Sequence, residues 1–359
     1  MLSRYFLIFS GFTLLNLFIS CSAAKPEVER AFYYWKSNEY SLEKEETNLL
    51  RDLQVQKLYL KFFEVHPDIV FDAVPAAKTS VHIWNYSVSQ AEDSLLAKTM
   101  NNLEIVPTVF IKNTALENIS EAGIDSLADN INFLVNKYFK ERINSGAKLN
   151  EIQLDCDWTA GTKDRYFRLL TTTKKLSGKL ISCTLRLYPF RYPEKMGIPP
   201  VDRVTLMCYN LLNPLESDSK NSILDTRELE SYLKGSKDYP IHTDIALPAF
   251  SWMQVYQNNQ FAGIIDPENP DLQPVIKKVS ELWYEVQQDI VIDDLYLRIG
   301  DKLKLEDVNE KTLSESITLL KKHLKFDEKV VVSFFHLDTK NLSKFNNEKL
   351  SDFYSDFAK

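Results

Sequence analysis

The sequence predicts an α/β protein, a (β/α)8 TIM barrel with an insertion between its seventh and eighth strands. Eight stretches rich in aromatic and β-branched residues recur along the chain, and amphipathic segments separate most of them. With 359 residues the chain is long enough to close such a barrel. An open, doubly wound sheet is the rival fold. It usually begins with a glycine-rich turn, and this chain, with nine glycines, has no such turn.

The predicted strands are short apolar runs bounded by polar segments. In chain order they are residues 31–37, 56–65, 105–113, 150–158, 179–188, 202–210, 241–252 and 328–338. The predicted helices are residues 43–53, 124–143, 164–176, 226–235, 310–324 and 346–359, and residues 124–143 have the clearest helical spacing of apolar side chains. Residues 249–304 are too long for one connecting loop, so we place an inserted unit at about residues 253–306.

The N-terminus predicts export and a lipid anchor. The uncharged apolar run from Tyr5 to Ile19 is too short to favour a permanent membrane span. It ends in LFISC, which resembles the bacterial lipobox. We therefore expect residues 1–20 to be a lipoprotein signal peptide, Cys21 to be lipidated, residues 21–30 to be a tether and residues 31–359 to be the barrel domain. The expected location is the bacterial cell envelope, with the protein lipid-anchored to a membrane. A plain secretory signal and an uncleaved anchor are the alternatives.

Composition excludes some classes of function. The net charge of −7 and the pI near 5.5 argue against binding to nucleic acid. Besides Cys21 the chain has Cys156, Cys183 and Cys208, whose spacing indicates neither a disulfide framework nor a zinc site. The sequence indicates no metal and no cofactor, and it leaves the oligomeric state open.

In the run NEIQLDCDWT, residues 150–159, polar and apolar residues alternate, so they would lie on opposite faces of a strand. Gln153, Asp155 and Asp157 share one face, and the opposite face is apolar. The next two predicted strands show the same alternation, with Ser182, Thr184 and Arg186 on one and Thr205, Met207 and Tyr209 on the other. We expect these sets to point into the barrel and the three cysteines to lie beneath the helices. Glu151 has the same parity but lies at the amino end, where a structural or solvent-facing role is expected.

A buried pair of acids at the carboxyl end of a barrel strand suits acid catalysis. Asp155 and Asp157 are about 6.6 Å apart, twice the rise per residue. Their repulsion favours a proton on one of them, and Arg186 is the expected counter-charge. A protonated acid at this end of a barrel is what a general acid requires. The alternative is a buried polar network that only fixes the strands.

IQLDCDW, followed two strands later by LMCYN, resembles the motifs of the glycoside hydrolase family 18 barrels, the chitinases and endo-β-N-acetylglucosaminidases. The resemblance implies Asp157 as the catalytic acid and Asp155 as the residue that orients the substrate's acetamido group. It places Gln153 at the preceding acid, Tyr209 at the residue that holds the intermediate and Asn210 where the family has Asp. In that family the substrate's own N-acetyl oxygen is the nucleophile. The order of the motifs also resembles that of bacterial surface lipoproteins.

If the family motif is aligned with this strand in another register, Thr159 takes the place of the catalytic acid. That register predicts an inactive barrel. Trp252, at the end of the seventh predicted strand, is a candidate sugar platform, and Trp35 and Trp84 are weaker candidates. We assign Asp157, Asp155 and Tyr209 to catalysis, and Gln153, Arg186, Asn210 and Trp252 to substrate binding.

The leading hypothesis is a membrane-anchored glycoside hydrolase-like protein that acts on or binds a glycan, with N-acetylglucosamine-containing glycans as candidates. The alternative is a non-catalytic surface lipoprotein that binds a glycan or a partner on an inactive barrel.

Overall fold

A computed structural model describes residues 25–36, 42–68, 72–76, 82–83, 94–143, 147–216, 219–236 and 238–358. The strands are β1 Glu27–Tyr34, β2 Lys57–Asp68, β3 Asp72–Ala76, β4 Glu104–Ile111, β5 Glu151–Asp155, β6 Leu180–Arg186, β7 Arg203–Met207, β8 His242–Pro248, β9 Trp252–Gln257, β10 Gln260–Ile265, β11 Ile276–Lys278, β12 Trp283–Val286, β13 Ile290–Ile292, β14 Leu295–Leu297, β15 Lys302–Glu306 and β16 Lys329–Phe335. The helices are α1 Lys44–Asp52, α2 Ser94–Asn102, α3 Glu121–Arg142, α4 Lys163–Ser177, α5 Leu187–Arg191, α6 Pro193–Met196, α7 Thr226–Leu233, α8 Glu310–His323, α9 Thr339–Leu342 and α10 Asn347–Phe357. The predicted signal peptide and Cys21 lie outside the described residues.

Eight parallel strands close into a barrel in the order β1, β2, β4, β5, β6, β7, β8 and β16. Each pairs in parallel with the next, and β1 pairs with both β2 and β16, which closes the ring. The predicted (β/α)8 TIM barrel is therefore confirmed, and the open sheet is excluded. β3 lies outside the ring and pairs antiparallel with the end of β2.

Helices cover the outside of the barrel and bury the outward faces of its strands. Cys156, Cys183 and Cys208 are at most 1% exposed and are unbridged, as predicted for small side chains beneath helices. The predicted helix 124–143 is α3. Its N-cap Ser120 accepts a hydrogen bond from the Gly123 amide. Within the described ranges, no helix has both the length and the apolar character needed to cross a bilayer.

The insertion lies between β8 and β16, the seventh and eighth barrel strands, as predicted. It is an antiparallel sheet in the order β10-β9-β15-β12-β11, with a separate β13–β14 hairpin. One face of the sheet has its own small core, which includes Met253, Val255, Val286 and Leu303. The other face includes Trp252, Gln254 and Glu306. Glu306 accepts hydrogen bonds from the other two side chains and from the amide of Ser222 in the loop after β7.

Candidate functional site

A layer of polar side chains fills the barrel interior below its carboxyl end. Gln153 of β5 accepts a hydrogen bond from the Tyr33 hydroxyl (2.8 Å) and donates one to Thr205 Oγ1 (3.2 Å). Two residues further along β5, Asp155 accepts a hydrogen bond of 2.5 Å from Thr184 Oγ1. All five side chains are buried, and the predicted inward faces of these strands are confirmed. Because Gln153 is fully buried with both ends of its amide bonded to protein, it supports the site from beneath rather than lining it.

The two acids of this strand have different environments. The pKa of Asp155 is raised to about 7. Burial is the largest cause and the nearby charge of Asp157 is the second, whereas the hydrogen bond from Thr184 and the charge of Arg186 lower the pKa. β5 ends at Asp155, where its pairing with β4 stops, so Asp157 lies in the loop beyond and its side chain is 59% exposed. The predicted strand 150–158 was too long. Asp155 is therefore an acid whose surroundings favour a proton near neutrality.

Arg186 is the counter-charge of Asp157, as predicted. Its Nε lies 3.5 Å from Asp157 Oδ1, and its Nη2 donates to the Asn210 carbonyl at 2.8 Å. Asn210 has a φ of 51°, a left-handed conformation that asparagine tolerates better than most residues. Among the described residues its buried side-chain oxygen has no hydrogen-bond partner. The ends of β5, β6 and β7 thus bring three of the predicted residues together.

Tyr209 lies at the floor of this region and is 2% exposed. Its ring stacks on that of Phe335, with centroids 5.0 Å apart and planes 29° apart. Burial raises the pKa of Tyr209 well above its usual value, and Asp155 and Asp157 are near enough to raise it further. Its phenol therefore stays neutral and is available for hydrogen bonding rather than for acid–base chemistry near neutral pH.

Six aromatic side chains meet at the carboxyl end of the barrel, and we call them the aromatic cluster: Trp35, Phe110, Tyr209, Phe250, Trp252 and Phe335. Phe335 is central, with centroid distances of 5.6 Å to Trp35, 5.0 Å to Tyr209 and 5.9 Å to Phe250. Trp35 also contacts Phe110 at 6.3 Å, and Phe250 contacts Trp252 at 5.5 Å. Phe335, Trp35, Phe110 and Trp252 are only half-buried. An aromatic surface therefore adjoins the polar group of Asp157, Arg186 and Asn210.

Two tryptophans of the cluster are held in place by charged neighbours. Lys61 Nζ lies 5.5 Å from the centre of the Trp35 ring, and it pairs with Glu64 at 3.0 Å. Trp252 does not end the seventh barrel strand, because β8 stops at Pro248. It begins β9, and its indole N–H donates to Glu306 at 2.6 Å. Its ring, rather than its N–H, is what it can offer to a ligand.

Sequence reasoning missed Phe110, Phe250 and Phe335. Each lies at or just beyond the carboxyl end of a barrel strand, and that position was the available signal. Trp84, one of the weaker candidates, lies outside the described residues. Over the described ranges, no group of three or more His, Cys, Asp or Glu side chains is arranged to hold a metal ion.

The opposite, amino end of the barrel holds a cluster of charges. Lys57 Nζ lies 3.3 Å from Glu151, 3.5 Å from Glu104 and 3.9 Å from Glu29. Burial alone would lower the pKa of Lys57, but the three carboxylates outweigh it and raise that pKa. Glu151 therefore has the structural role expected for its position.

No protein-family model matches this sequence, and no curated protein is significantly similar to it. Among solved structures, the "C-terminal domain of putative chitinase from Desulfitobacterium hafniense DCB-2" matches with a TM-score of 0.52 and 10% identity, over 94% of this chain and 100% of that one. A chitinase from Chromobacterium violaceum ATCC 12472 gives a TM-score of 0.49 and 9% identity, over 91% and 98% of the two chains. A tamarind chitinase-like lectin gives 0.41 and 9%, also over 91% and 98%. The first of these matches shows that the chain shares its barrel fold, and the remote resemblance seen in the sequence is confirmed at the level of the fold.

Proposed function

We propose that this protein binds a glycan at the carboxyl end of its barrel and does not cleave it. The observation that carries the proposal is the half-buried aromatic cluster beside Asp157, Arg186 and Asn210. Sugar rings have apolar C–H faces that pack on aromatic rings and hydroxyl groups that need hydrogen-bond partners. A region that combines apolar rings with a few polar groups suits such a ligand.

The acids of the site favour binding over hydrolysis. A general acid must hold a proton and also reach the leaving group. Asp157 is exposed, but it forms an ion pair with Arg186. Asp155 is suited to hold a proton, but it is 7% exposed and bonded to Thr184. In the register that places Thr159 at the acid's position, the side chain there is a hydroxyl, which cannot act as a carboxylic acid.

Hydrolysis is the second candidate function, and one observation favours it. The pKa of Asp155 is raised to about 7, so this carboxyl is largely protonated under mildly acidic conditions. Release of reducing sugar that disappears in Asp155→Asn would establish hydrolysis and exclude the purely binding function.

Replacing Trp35 by alanine is expected to weaken glycan binding about tenfold or more, equivalent to about 1.4 kcal/mol. The reason is the loss of a stacking surface that Lys61 holds in place. A glycan array first identifies which glycans bind. The affinity is then measured by calorimetric titration with N-acetylglucosamine oligosaccharides, which are chosen because of the sequence resemblance. Phe133→Ala is the matched control, because Phe133 is 62% exposed on α3, outside the site. Unchanged affinity together with unchanged stoichiometry in Trp35→Ala would exclude the aromatic cluster as the binding surface.

We also propose that Cys21 carries a lipid that holds the protein to a membrane of the bacterial envelope. The apolar run before it and the small residue Ser20 support this proposal. Cells that express the full chain are expected to incorporate an alkyne-tagged palmitate into the protein, and Cys21→Ser is expected to abolish the label. Cys183→Ser is the control, because Cys183 is buried in the barrel. Label retained in Cys21→Ser would contradict the assignment.

A further inference from the structure

A concave site lies on the insertion, at the end of β9 farther from the aromatic cluster. It is a groove of about 480 Å³ between the insertion sheet and the loop after β7. Its aromatic walls are Tyr256 of β9 and Trp283 of β12, with ring centroids 5.2 Å apart and planes at 53°. Leu215 and Val279, which are 53% and 55% exposed, complete its apolar surface. Exposed apolar side chains gathered in a concave site of this size indicate ligand binding.

Buried hydrogen bonds fix the orientation of the Tyr256 ring. Its hydroxyl donates to Gln254 Oε1 at 2.7 Å, and Gln254 Nε2 donates to Glu306 at 3.1 Å. Gln254 is 1% exposed and Glu306 is fully buried. A ring held in this way loses little conformational freedom when a ligand packs on it, which favours binding of weakly interacting ligands.

Polar side chains line the same groove. Lys302 lies directly opposite Tyr256 in the β15–β9 pairing, Asn259 projects from the β9–β10 turn, and Ser280 precedes β12. Together they offer an ammonium group, an amide and a hydroxyl beside two aromatic faces. None of the described residues that line the groove is acidic. Aromatic faces bordered by neutral and donor groups fit a hydroxyl-rich, uncharged ligand better than a basic peptide.

The groove is structurally linked to the aromatic cluster. Trp252 and Tyr256 have the same parity on β9 and are about 13 Å apart, four times the rise per residue. The carboxylate of Glu306 accepts a hydrogen bond from the Trp252 indole and another from the Gln254 amide. Gln254 in turn accepts the hydrogen bond of the Tyr256 hydroxyl, so both rings are connected to Glu306. The spacing between the two sites is therefore fixed by one buried network.

We propose that this groove is a second glycan-binding site, which holds a separate stretch of the same polymer that binds at the aromatic cluster. The inference rests on the proposed function. Two sites at a fixed spacing bind one polymer more tightly than either does alone, because the second contact is made at high effective concentration. A short oligosaccharide cannot gain in this way and would occupy the two sites independently.

The test uses the full chain with insoluble chitin as the polymer and a short N-acetylglucosamine oligosaccharide as the single-site ligand. Trp283→Ala is expected to weaken polymer binding about tenfold or more and to reduce the stoichiometry for the short ligand from about two to about one. Trp35→Ala is expected to have the same effects, and the double variant is expected to bind neither ligand. Trp283→Phe is expected to retain most of the affinity, which separates loss of the ring from loss of folding. Tyr296→Ala is the control, because Tyr296 is 52% exposed on β14, outside the groove.

The outcomes separate the two proposals. Wild-type binding in Trp283→Ala, with weakened binding in Trp35→Ala, would overturn the second site and leave the proposed function intact. Weakening by Trp283→Ala alone would support a glycan site in the groove and overturn the site at the end of the barrel. No binding of any glycan by the wild-type protein would overturn both.

Discussion

Replacing Glu306 by alanine is expected to lower the free energy of unfolding by about 3–5 kcal/mol, the usual cost of removing one partner from a buried ion pair. Glu306 and Lys304 are both 0% exposed, and Lys304 Nζ lies 2.7 Å from Glu306 Oε1. Without the carboxylate, the ammonium group would lose its counter-charge in a dry environment. The measurement is urea-induced unfolding, followed by tryptophan fluorescence.

The expected loss is large because Glu306 also joins the insertion to the barrel. It accepts hydrogen bonds from the Ser222 amide (2.9 Å), the Ser222 hydroxyl (2.6 Å), the Trp252 indole (2.6 Å) and the Gln254 amide (3.1 Å). Alanine would leave several buried donors without an acceptor, and each such group carries a desolvation cost of its own. The loop after β7 and the first strand of the insertion would lose their common anchor.

Two further variants separate the charge effect from the loss of side-chain volume. Glu281→Ala, at an exposed glutamate in the same insertion, is expected to change stability by less than about 0.5 kcal/mol. The double variant Lys304→Met, Glu306→Leu removes both charges and is expected to be more stable than Glu306→Ala. A Glu306→Ala protein as stable as the wild type would show that this network does not hold the insertion in place.

Replacing Asp155 by asparagine is expected to remove a pH-dependent loss of stability between about pH 4 and pH 7. The folded-state pKa is raised to about 7, mainly by burial, whereas an unfolded aspartate titrates near 3.9. Between these values the folded protein binds more protons than the unfolded chain, so its stability falls as pH rises. The slope approaches about 1.4 kcal/mol per pH unit, and the loss is complete above the folded-state pKa. The asparagine variant has no proton to lose at this position.

The measurement is the difference in unfolding free energy between wild type and variant at several pH values from 4 to 8. Taking the difference cancels the titration of other groups, such as His242 at the amino end of the barrel. Asp164→Asn is the control, because the side chain of Asp164 is 93% exposed. Parallel stability curves for the wild type and Asp155→Asn would contradict a raised pKa at Asp155.

The barrel was predictable because its strands repeat a simple pattern. In β5, β6 and β7, the alternation of polar and apolar side chains predicts that Gln153, Asp155, Thr184 and Thr205 point inwards, and the structure confirms this. Strand ends were less predictable, because they depend on where pairing with neighbours stops. β5 therefore ends at Asp155, and Asp157 lies in a loop. The helix α2, of which only Leu96, Ala97 and Met100 are buried, was not predicted.

The site was only partly predictable, for a different reason. Asp157, Arg186 and Tyr209 follow the parity of three consecutive predicted strands, so the alternation was enough to bring them together, whereas Asn210 was predicted from the motif resemblance. The aromatic cluster joins residues as far apart as Trp35 and Phe335, which meet only because β1 pairs with β16. The role of Glu306 is also a property of tertiary packing, because its partners Ser222 and Trp252 lie 84 and 54 residues away.

The direction of β1 bears on the proposed lipid anchor, because it fixes the pole at which the described part of the chain begins. β1 begins at Glu27, beside the charge cluster around Lys57, and runs about 26 Å along its eight residues towards the aromatic cluster. In the proposed anchored form, the chain would therefore enter the barrel at the pole opposite the proposed glycan site. In a molecule anchored in this way, the aromatic cluster would face away from the membrane and would be accessible to glycans on that side. The charged amino end of the barrel would face the lipid head groups.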